Sequence, residues 1–188
     1  MRILELMKKR RSIRKYKTTP LSRQLILRII EAASFAPSGL NRQPWFFVAV
    51  SNPSLKEEIR RECERCERNF YARINNDLKK SLSFFNLSPV KPFLTEAPYL
   101  IVVFVKEGEP YGVESVWISI GYMILKIEEE GLASLTYTPP DMSFLNSVLG
   151  ISSEFKAVAI LPVGYPDEKI DFGKRKRKPV NKLVKFIE

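Results

Sequence analysis

Three arginines lie close together near the start of this 188-residue chain, in the run Arg10, Arg11, Ser12, Ile13 and Arg14. Guanidinium groups bind phosphate through pairs of parallel hydrogen bonds, so a cluster of this kind can hold a phosphorylated ligand. A serine hydroxyl within the run adds a further donor. Basic helix ends are common, and the run taken alone indicates only a candidate anion site.

A second candidate is the segment from Ala36 to Trp45, which contains Ser38, Gly39 and Leu40. Pro37 ends a helical pattern, and Gly39 allows the backbone to approach a ligand closely. Backbone N–H groups in such a turn can bind an anionic or carbonyl oxygen. An ordinary helix-to-strand connection is the alternative interpretation.

Two further candidates lie at strand ends. Thr136, Tyr137 and Thr138 precede two prolines, and threonine hydroxyls can form hydrogen bonds to a cofactor ring. The last predicted strand ends in a turn at 161–166, which leads into a basic stretch at 174–179. Taken singly, each segment could also be a strand that simply ends, or a turn before a solvated tail.

Composition limits the chemistry that these residues can perform. The chain has no histidine, which excludes Ser-His-Asp and Cys-His catalysis and any His-ligated metal. Cys63 and Cys66 are too few for a zinc site and fall inside a helical pattern, so we predict that they are inert helix residues. We therefore predict no metal, and a cofactor is the simplest source of demanding chemistry.

The net charge of +10 leaves a nucleic-acid-binding protein as an alternative of another class. The aromatic residues are not interleaved with the basic runs at 8–11 and 174–178, as a stacking platform would require. Nucleic acid is therefore not the expected partner. No apolar run approaches the ~20 residues of a membrane span, and no apolar signal core follows the N-terminal basic residues. We expect a cytoplasmic protein that does not bind membranes.

Hydrophobic periodicity predicts one α+β domain. Helical patterns cover 1–11, 20–37, 55–80, 115–130 and 142–149, and strand patterns cover 45–50, 99–105, 132–137 and 155–163. The helix over 55–80 is predicted to be interrupted near its middle. The segment 81–98 is predicted to be an irregular cover. The tail, 167–188, is too apolar at its tip to remain in water, which favours burial on a second subunit. Neither GxGxxG nor GxxxxGK[ST] occurs, so a Rossmann or P-loop site is not expected.

Taken together, four motifs resemble the nitroreductase superfamily of FMN enzymes over nearly the whole chain. They are RRSIR at 10–14, APSGLNRQPW at 36–45, APYLIVVF at 97–104, and LPVGYP at 161–166 before the basic tail. The resemblance implies a three-layer sandwich with a small mixed sheet wrapped by helices. It also implies a single FMN-binding domain over 1–188 and an intertwined homodimer with two FMN sites at its interface, spanned by the tail at 167–188.

Within the superfamily, the order of TYTPP, SVLGI, LPVGYP and KRKP is similar to the iodotyrosine deiodinase-like branch. That branch recognises its substrate through a glutamate, a tyrosine four residues later and a more distant lysine, which correspond to Glu67, Tyr71 and Lys91 in a lid at 67–97. Glu67 and Tyr71 share one helix face, and opposite charges can pair with an amino acid zwitterion. The alternative is a surface pair with one solvated lysine.

The resemblance also implies individual roles. FMN would be held by Arg10, Arg11, Ser12, Ile13, Arg14, Ser38, Gly39, Thr136, Tyr137, Thr138 and Arg177. Thr136 would be the hydrogen-bond partner of the flavin N5 and would favour one-electron steps. The Leu40 N–H would hold a substrate phenolate. The implied activity is reductive dehalogenation of a halotyrosine such as iodotyrosine. The alternative is a general nitro- or quinone reductase, with NAD(P)H or a flavin-reducing partner as the electron source.

Overall fold

The structure is a computed structural model that describes residues 2–84, 88–167 and 177–188. Its elements are helices α1 (Ile3–Lys9), α2 (Arg23–Ser34), α3 (Pro53–Arg73), α4 (Asn76–Phe84), α5 (Phe93–Glu96), α6 (Gly112–Glu129) and α7 (Phe144–Leu149), and strands β1 (Trp45–Val50), β2 (Tyr99–Lys106), β3 (Ala133–Ser134) and β4 (Phe155–Gly164). Short 3-10 turns cover Gly39–Asn41 and Val180–Lys182. No helix in the described ranges is both long and apolar enough to cross a bilayer.

The four strands form one sheet in the order β1-β2-β4-β3, and every pair of neighbouring strands is antiparallel. A parallel pairing occurs as an isolated bridge between Ser12 and Ser134. The four described strands therefore form an antiparallel sheet, whereas the family resemblance implied a small mixed sheet. The bridge attaches the segment after α1 to the β3 edge.

Two hydrophobic cores lie on opposite faces of the sheet, which gives the predicted three layers. Alternate residues of a strand point to opposite faces, so β2 contributes to both cores. Leu100, Val102 and Phe104 pack with residues of α3, α5 and α7, whereas Ile101, Val103 and Val105 pack with residues of α2 and α6. The continuous apolar run of β2 is therefore explained by burial on both sides.

The long polar helix predicted over 55–80 is divided, but later than its middle. Its first part, α3, begins where the Asn52 side chain accepts a hydrogen bond from the Leu55 N–H, with Pro53 at the first helical position. Ile74 is extended and ends α3. The Asn75 side chain then accepts from the Leu78 N–H and starts α4.

Two elements differ from the bounds or the character that the sequence predicted. The third strand was predicted over 132–137, but regular pairing is limited to β3, and Tyr137 returns to the sheet only through an isolated bridge to Ile160. The cover segment at 81–98 is not wholly irregular, because α4 extends into it and α5 lies near its end. Part of this segment, residues 85–87, lies outside the described residues.

The end of α6 is joined to α2 by a charged cluster at Glu130. The Arg28 guanidinium donates to both oxygens of this carboxylate at 3.1 Å, and the Lys126 ammonium lies 2.9 Å away. The hydrogen bonds from Arg28, and then from Lys126, lower the pKa of Glu130 to about 2. The ionised carboxylate therefore favours the folded state.

Replacing Glu130 with glutamine is expected to lower the free energy of unfolding at neutral pH. Because the carboxyl pKa is lower in the folded chain, this contribution is complete above the unfolded value near 4.5 and disappears as the pH falls towards 2. Urea unfolding of the wild type and the variant at neutral pH and at about pH 3 measures the difference. An equal difference at both pH values would contradict an electrostatic role.

Candidate active site

A cavity of about 900 Å³ opens between the second half of α3, the segment before α5, the extended stretch after α1, and the residues that follow β3. It is large enough for a cofactor or a drug-sized ligand. Eight of the residues predicted from the sequence line it: Ser12, Arg14, Glu67, Tyr71, Lys91, Thr136, Tyr137 and Thr138. Residues from four distant parts of the chain are thus brought to one place.

The arginine-rich run reaches the cavity through alternate residues. The Ile13 N–H donates to the Ser134 carbonyl at 3.2 Å, and the Ile13 side chain is buried in the core. Its neighbours Ser12 and Arg14 line the cavity, as expected for an extended segment whose side chains alternate. Ile13 thus supports this wall from behind, and its N–H is already used within the protein.

Arg10 and Arg11 do not line the cavity of the single chain. One terminal nitrogen of Arg11 donates to the carbonyls of Lys8, Lys9 and Arg10, at 2.6, 3.2 and 3.0 Å. Carbonyls at the end of a helix lack partners along the chain, and a cation there is favourable. In this structure, one end of the Arg11 guanidinium therefore caps α1.

Glu67 and Lys91 form a buried ion pair in the cavity wall. The Lys91 ammonium lies 3.1 Å from one Glu67 oxygen and donates to the Ser88 carbonyl at 2.6 Å. Each of the two charged side chains is only 8% exposed, which contradicts the alternative of a surface glutamate and a solvated lysine. Burying opposite charges is costly unless they are paired, so the contact constrains both side chains.

A second ion pair fixes the backbone that carries Lys91. The Glu64 carboxylate accepts from the Lys91 N–H at 2.9 Å and from Arg60 at 2.7 Å. Burial alone would raise the pKa of Glu64, but hydrogen bonds from Arg60 and the Lys91 backbone outweigh it and hold the pKa below its usual range. Arg60 also donates to the Thr95 hydroxyl, which ties α3 to α5.

The segment after β3 presents two hydroxyls and buries an aromatic ring. Thr136 and Thr138 are exposed and line the cavity, whereas Tyr137 between them is buried. The Tyr137 hydroxyl donates to a Glu67 oxygen at 2.9 Å. The phenol of Tyr137 is therefore directed to the ion pair, although the sequence grouped this residue with the cofactor contacts.

Cys63 lies close to this cluster within α3, and Cys66 follows one turn later. Both are buried free cysteines. Burial raises the pKa of each thiol, which disfavours the reactive thiolate. Both cysteines lie within α3, as predicted, and their lack of reactivity stays a prediction.

The loop with Ser38, Gly39 and Leu40 does not line the cavity of its own chain. Leu40 has a left-handed backbone with φ of 52° and an exposed side chain, and Asn41 also has a positive φ. A Cβ on Gly39 would lie 2.9 Å from the Pro110 carbonyl oxygen, so only glycine fits there. Strained non-glycine residues of this kind often occur at binding sites.

Arg177 is exposed and also lies outside the cavity lining of the single chain. The basic residues at 174–176 lie outside the described residues. The sequence did not single out Lys15, Phe70, Phe93 and Glu96, all of which line the cavity. Two of them could have been predicted from the sequence, because Phe70 is one helical turn from Glu67 and Lys15 extends the arginine-rich run.

The α+β fold holds a cavity that is lined by a basic segment, two threonine hydroxyls and a buried ion pair. These features define a domain that binds a small ligand. The chain belongs to the nitroreductase family, whose sequence profile matches residues 7–165.

Comparisons with individual known proteins support this family membership. An iodotyrosine deiodinase from Thermotoga neapolitana is 43% identical over 88% of this chain and 89% of its own length. One from Haliscomenobacter hydrossis is 38% identical over 87% of this chain and 79% of its own. The crystal structure of an oxidised iodotyrosine deiodinase bound to FMN and 3-iodo-L-tyrosine superposes over the full length of both chains, with a TM-score of 0.91 at 39% identity.

Proposed function

We propose that the protein is an FMN-dependent reductase that removes halide from a halotyrosine such as iodotyrosine. The observation that carries the proposal is the buried Glu67–Lys91 pair in the wall of a cavity that also presents Thr136. A reductase of small nitroaromatics or quinones needs no buried pair of opposite charges. The similar deiodinase structure bound to FMN and 3-iodo-L-tyrosine supports the same assignment.

The donors around the cavity suit FMN. Ser12, Arg14 and Lys15 offer a hydroxyl and two cations to a phosphate group, and Thr136 and Thr138 offer hydroxyls to polar ring atoms. FMN, when bound, would supply the electrons for reduction. We propose that Ser12 and Arg14 serve its phosphate and ribityl end, joined by Arg10 and Arg11 from outside the cavity lining of the single chain, and that Thr136 donates to N5.

The ion pair would recognise the zwitterion of the substrate. In the structure Glu67 and Lys91 contact each other, so a bound amino acid would replace one ion pair by two: its ammonium with Glu67 and its carboxylate with Lys91. Tyr71, half-buried in the same wall, would close over the aromatic ring, as part of a lid at 67–97. These side chains thus bind and orient the substrate and exclude water.

We propose that a second copy of the chain completes the site. Ser38, Gly39, Leu40 and Arg177 lie outside the cavity of their own chain, and a homodimer would bring them to the cavity of the partner. A dimer would also cover the exposed apolar residues on the outer face of α6: Val113, Trp117, Ile118 and Tyr122. In this arrangement the Leu40 N–H would hold the substrate phenolate. Each chain would be a single domain, and its tail at 167–188 would cross the dimer interface.

NAD(P)H or a flavin-reducing partner is the proposed electron donor. The expected cytoplasmic location stays a prediction.

The purified protein is expected to be yellow and to release FMN, not FAD, on denaturation. Chromatography of the released flavin identifies it. Titration with 3-iodotyrosine should then quench or shift the flavin fluorescence, while tyrosine lacking iodine serves as the control. A colourless protein that cannot be reconstituted with FMN would refute the proposed function. A yellow protein that reduces nitroaromatics but never binds 3-iodotyrosine would favour the general-reductase alternative.

A further inference from the structure

Tyr137 stands between two residues whose hydroxyls line the cavity, and its own phenol is directed to the buried ion pair in the cavity wall. Its hydroxyl donates to Glu67 at 2.9 Å, and its ring lies under the Lys91 ammonium, 5.5 Å from the ring centre. Tyr137 therefore contacts both members of the buried ion pair. It connects the segment proposed to lie at the flavin with the residues proposed to bind the substrate zwitterion.

The position of the Tyr137 hydroxyl is fixed by the sheet. The Tyr137 N–H donates to the Ile160 carbonyl at 2.9 Å, and the Ile160 N–H donates back at 2.8 Å. The ring packs edge-on against Phe93 with centroids 5.3 Å apart. A group held by a strand and by ring packing loses little conformational entropy when it makes a contact, so it is well suited to orient another side chain.

Tyr137 and the ammonium of Lys91 share one oxygen of Glu67. Both groups contact Oε1, so the phenol and the ammonium lie on the same side of this carboxylate. Burial raises the pKa of Tyr137, so the phenol stays protonated and acts as the donor. If Lys91 turns to a substrate carboxylate, the phenol would still hold Glu67 in place.

We propose that Tyr137 is a positioning residue that orients the Glu67 carboxylate to receive the ammonium group of the substrate. The inference rests on the proposed function, because it assigns Glu67 to that ammonium. It predicts that loss of the hydroxyl harms ligands that carry an ammonium group and spares those that lack one. A residue that merely stabilised the fold would affect both kinds of ligand equally.

The test is the variant Tyr137→Phe, which keeps the ring against Phe93 and removes only the hydroxyl. Its affinity for 3-iodotyrosine is compared with its affinity for the analogue in which hydrogen replaces the amino group, both measured by flavin fluorescence. Binding of 3-iodotyrosine should weaken by about 2- to 13-fold, the value of one net hydrogen bond, with little change for the analogue. The control is Tyr99→Phe, the same change at a tyrosine packed against the other core, on the α2 and α6 side of the sheet. It should leave the ratio of the two affinities unaltered.

The background variant Glu67→Gln checks that Tyr137 acts through Glu67. In that background, adding Tyr137→Phe should cost much less affinity than it does alone, because the two effects share one contact. If Tyr137→Phe weakens both ligands equally, or changes neither, the positioning role is wrong while the proposed function stands. If the flavin-loaded wild type binds neither ligand, the proposed function fails and the positioning role fails with it.

Discussion

Removal of Val180–Glu188 is expected to abolish the dimer and the bound flavin together. The described end of the tail exposes Val180, Leu183, Val184, Phe186 and Ile187, each by 45–86%. Apolar groups in such number are stable in water only when another surface covers them. Because the Ser38–Leu40 loop is absent from the cavity of its own chain, the same contact that buries the tail would complete the site. Light scattering after size exclusion, with the ratio of flavin to protein absorbance, measures both losses.

Point variants within the tail separate its apolar contacts from its length. Phe186→Ser with Ile187→Ser should weaken the dimer and lower flavin content, since the two most exposed apolar side chains of the segment are lost. Lys182→Ser with Lys185→Ser alters two exposed residues of the same segment without removing apolar surface, and should keep both properties. A flavin-loaded monomer in any of these variants would show that one chain suffices for the site.

Much of the fold could be predicted from the sequence because its signals are local. The strand predicted at Trp45–Val50 has the same bounds in the structure, since a short apolar run before Asn52 and Pro53 has few alternatives. The apolar run at Tyr99–Val105 became the β2 strand, which lies between the two cores. The strand β3 was predicted too long because it lies at the sheet edge, where β4 is its one neighbouring strand and Ser12 adds only an isolated bridge.

The site was predicted less completely because its geometry depends on contacts between distant segments. The pattern of Glu67, Tyr71 and Lys91 could be read from the sequence, but their burial could not. Lys91 is placed by a hydrogen bond from its own backbone N–H to the Glu64 carboxylate. No sequence pattern indicates that contact. The direction of the Tyr137 phenol is likewise set by its bridge to Ile160.

Replacing Lys91 with alanine is expected to weaken 3-iodotyrosine binding by about ten- to over a hundredfold, because a substrate carboxylate would lose a charge-assisted hydrogen bond worth roughly 1.5–3 kcal/mol. Reduction of a small nitroaromatic, which has no carboxylate, should fall far less. The structure adds a second effect. The variant leaves Glu67 buried without its cation, and breaking a buried pair costs about 3–5 kcal/mol of stability. Fluorescence titration and thermal unfolding measure the two effects separately.

The double variant Lys91→Ala with Glu67→Gln distinguishes a role in ligand binding from a role in the fold. Removing both charges relieves the unpaired carboxylate, so the stability lost in Lys91→Ala should largely return. Affinity for 3-iodotyrosine should stay low, because neither charged group of the zwitterion has a partner. Recovery of stability and binding together would mean that the pair supports the fold and that the ligand is recognised elsewhere. Stability without binding would show that this buried pair is retained for its ligand, at a site where apolar side chains would serve the fold as well.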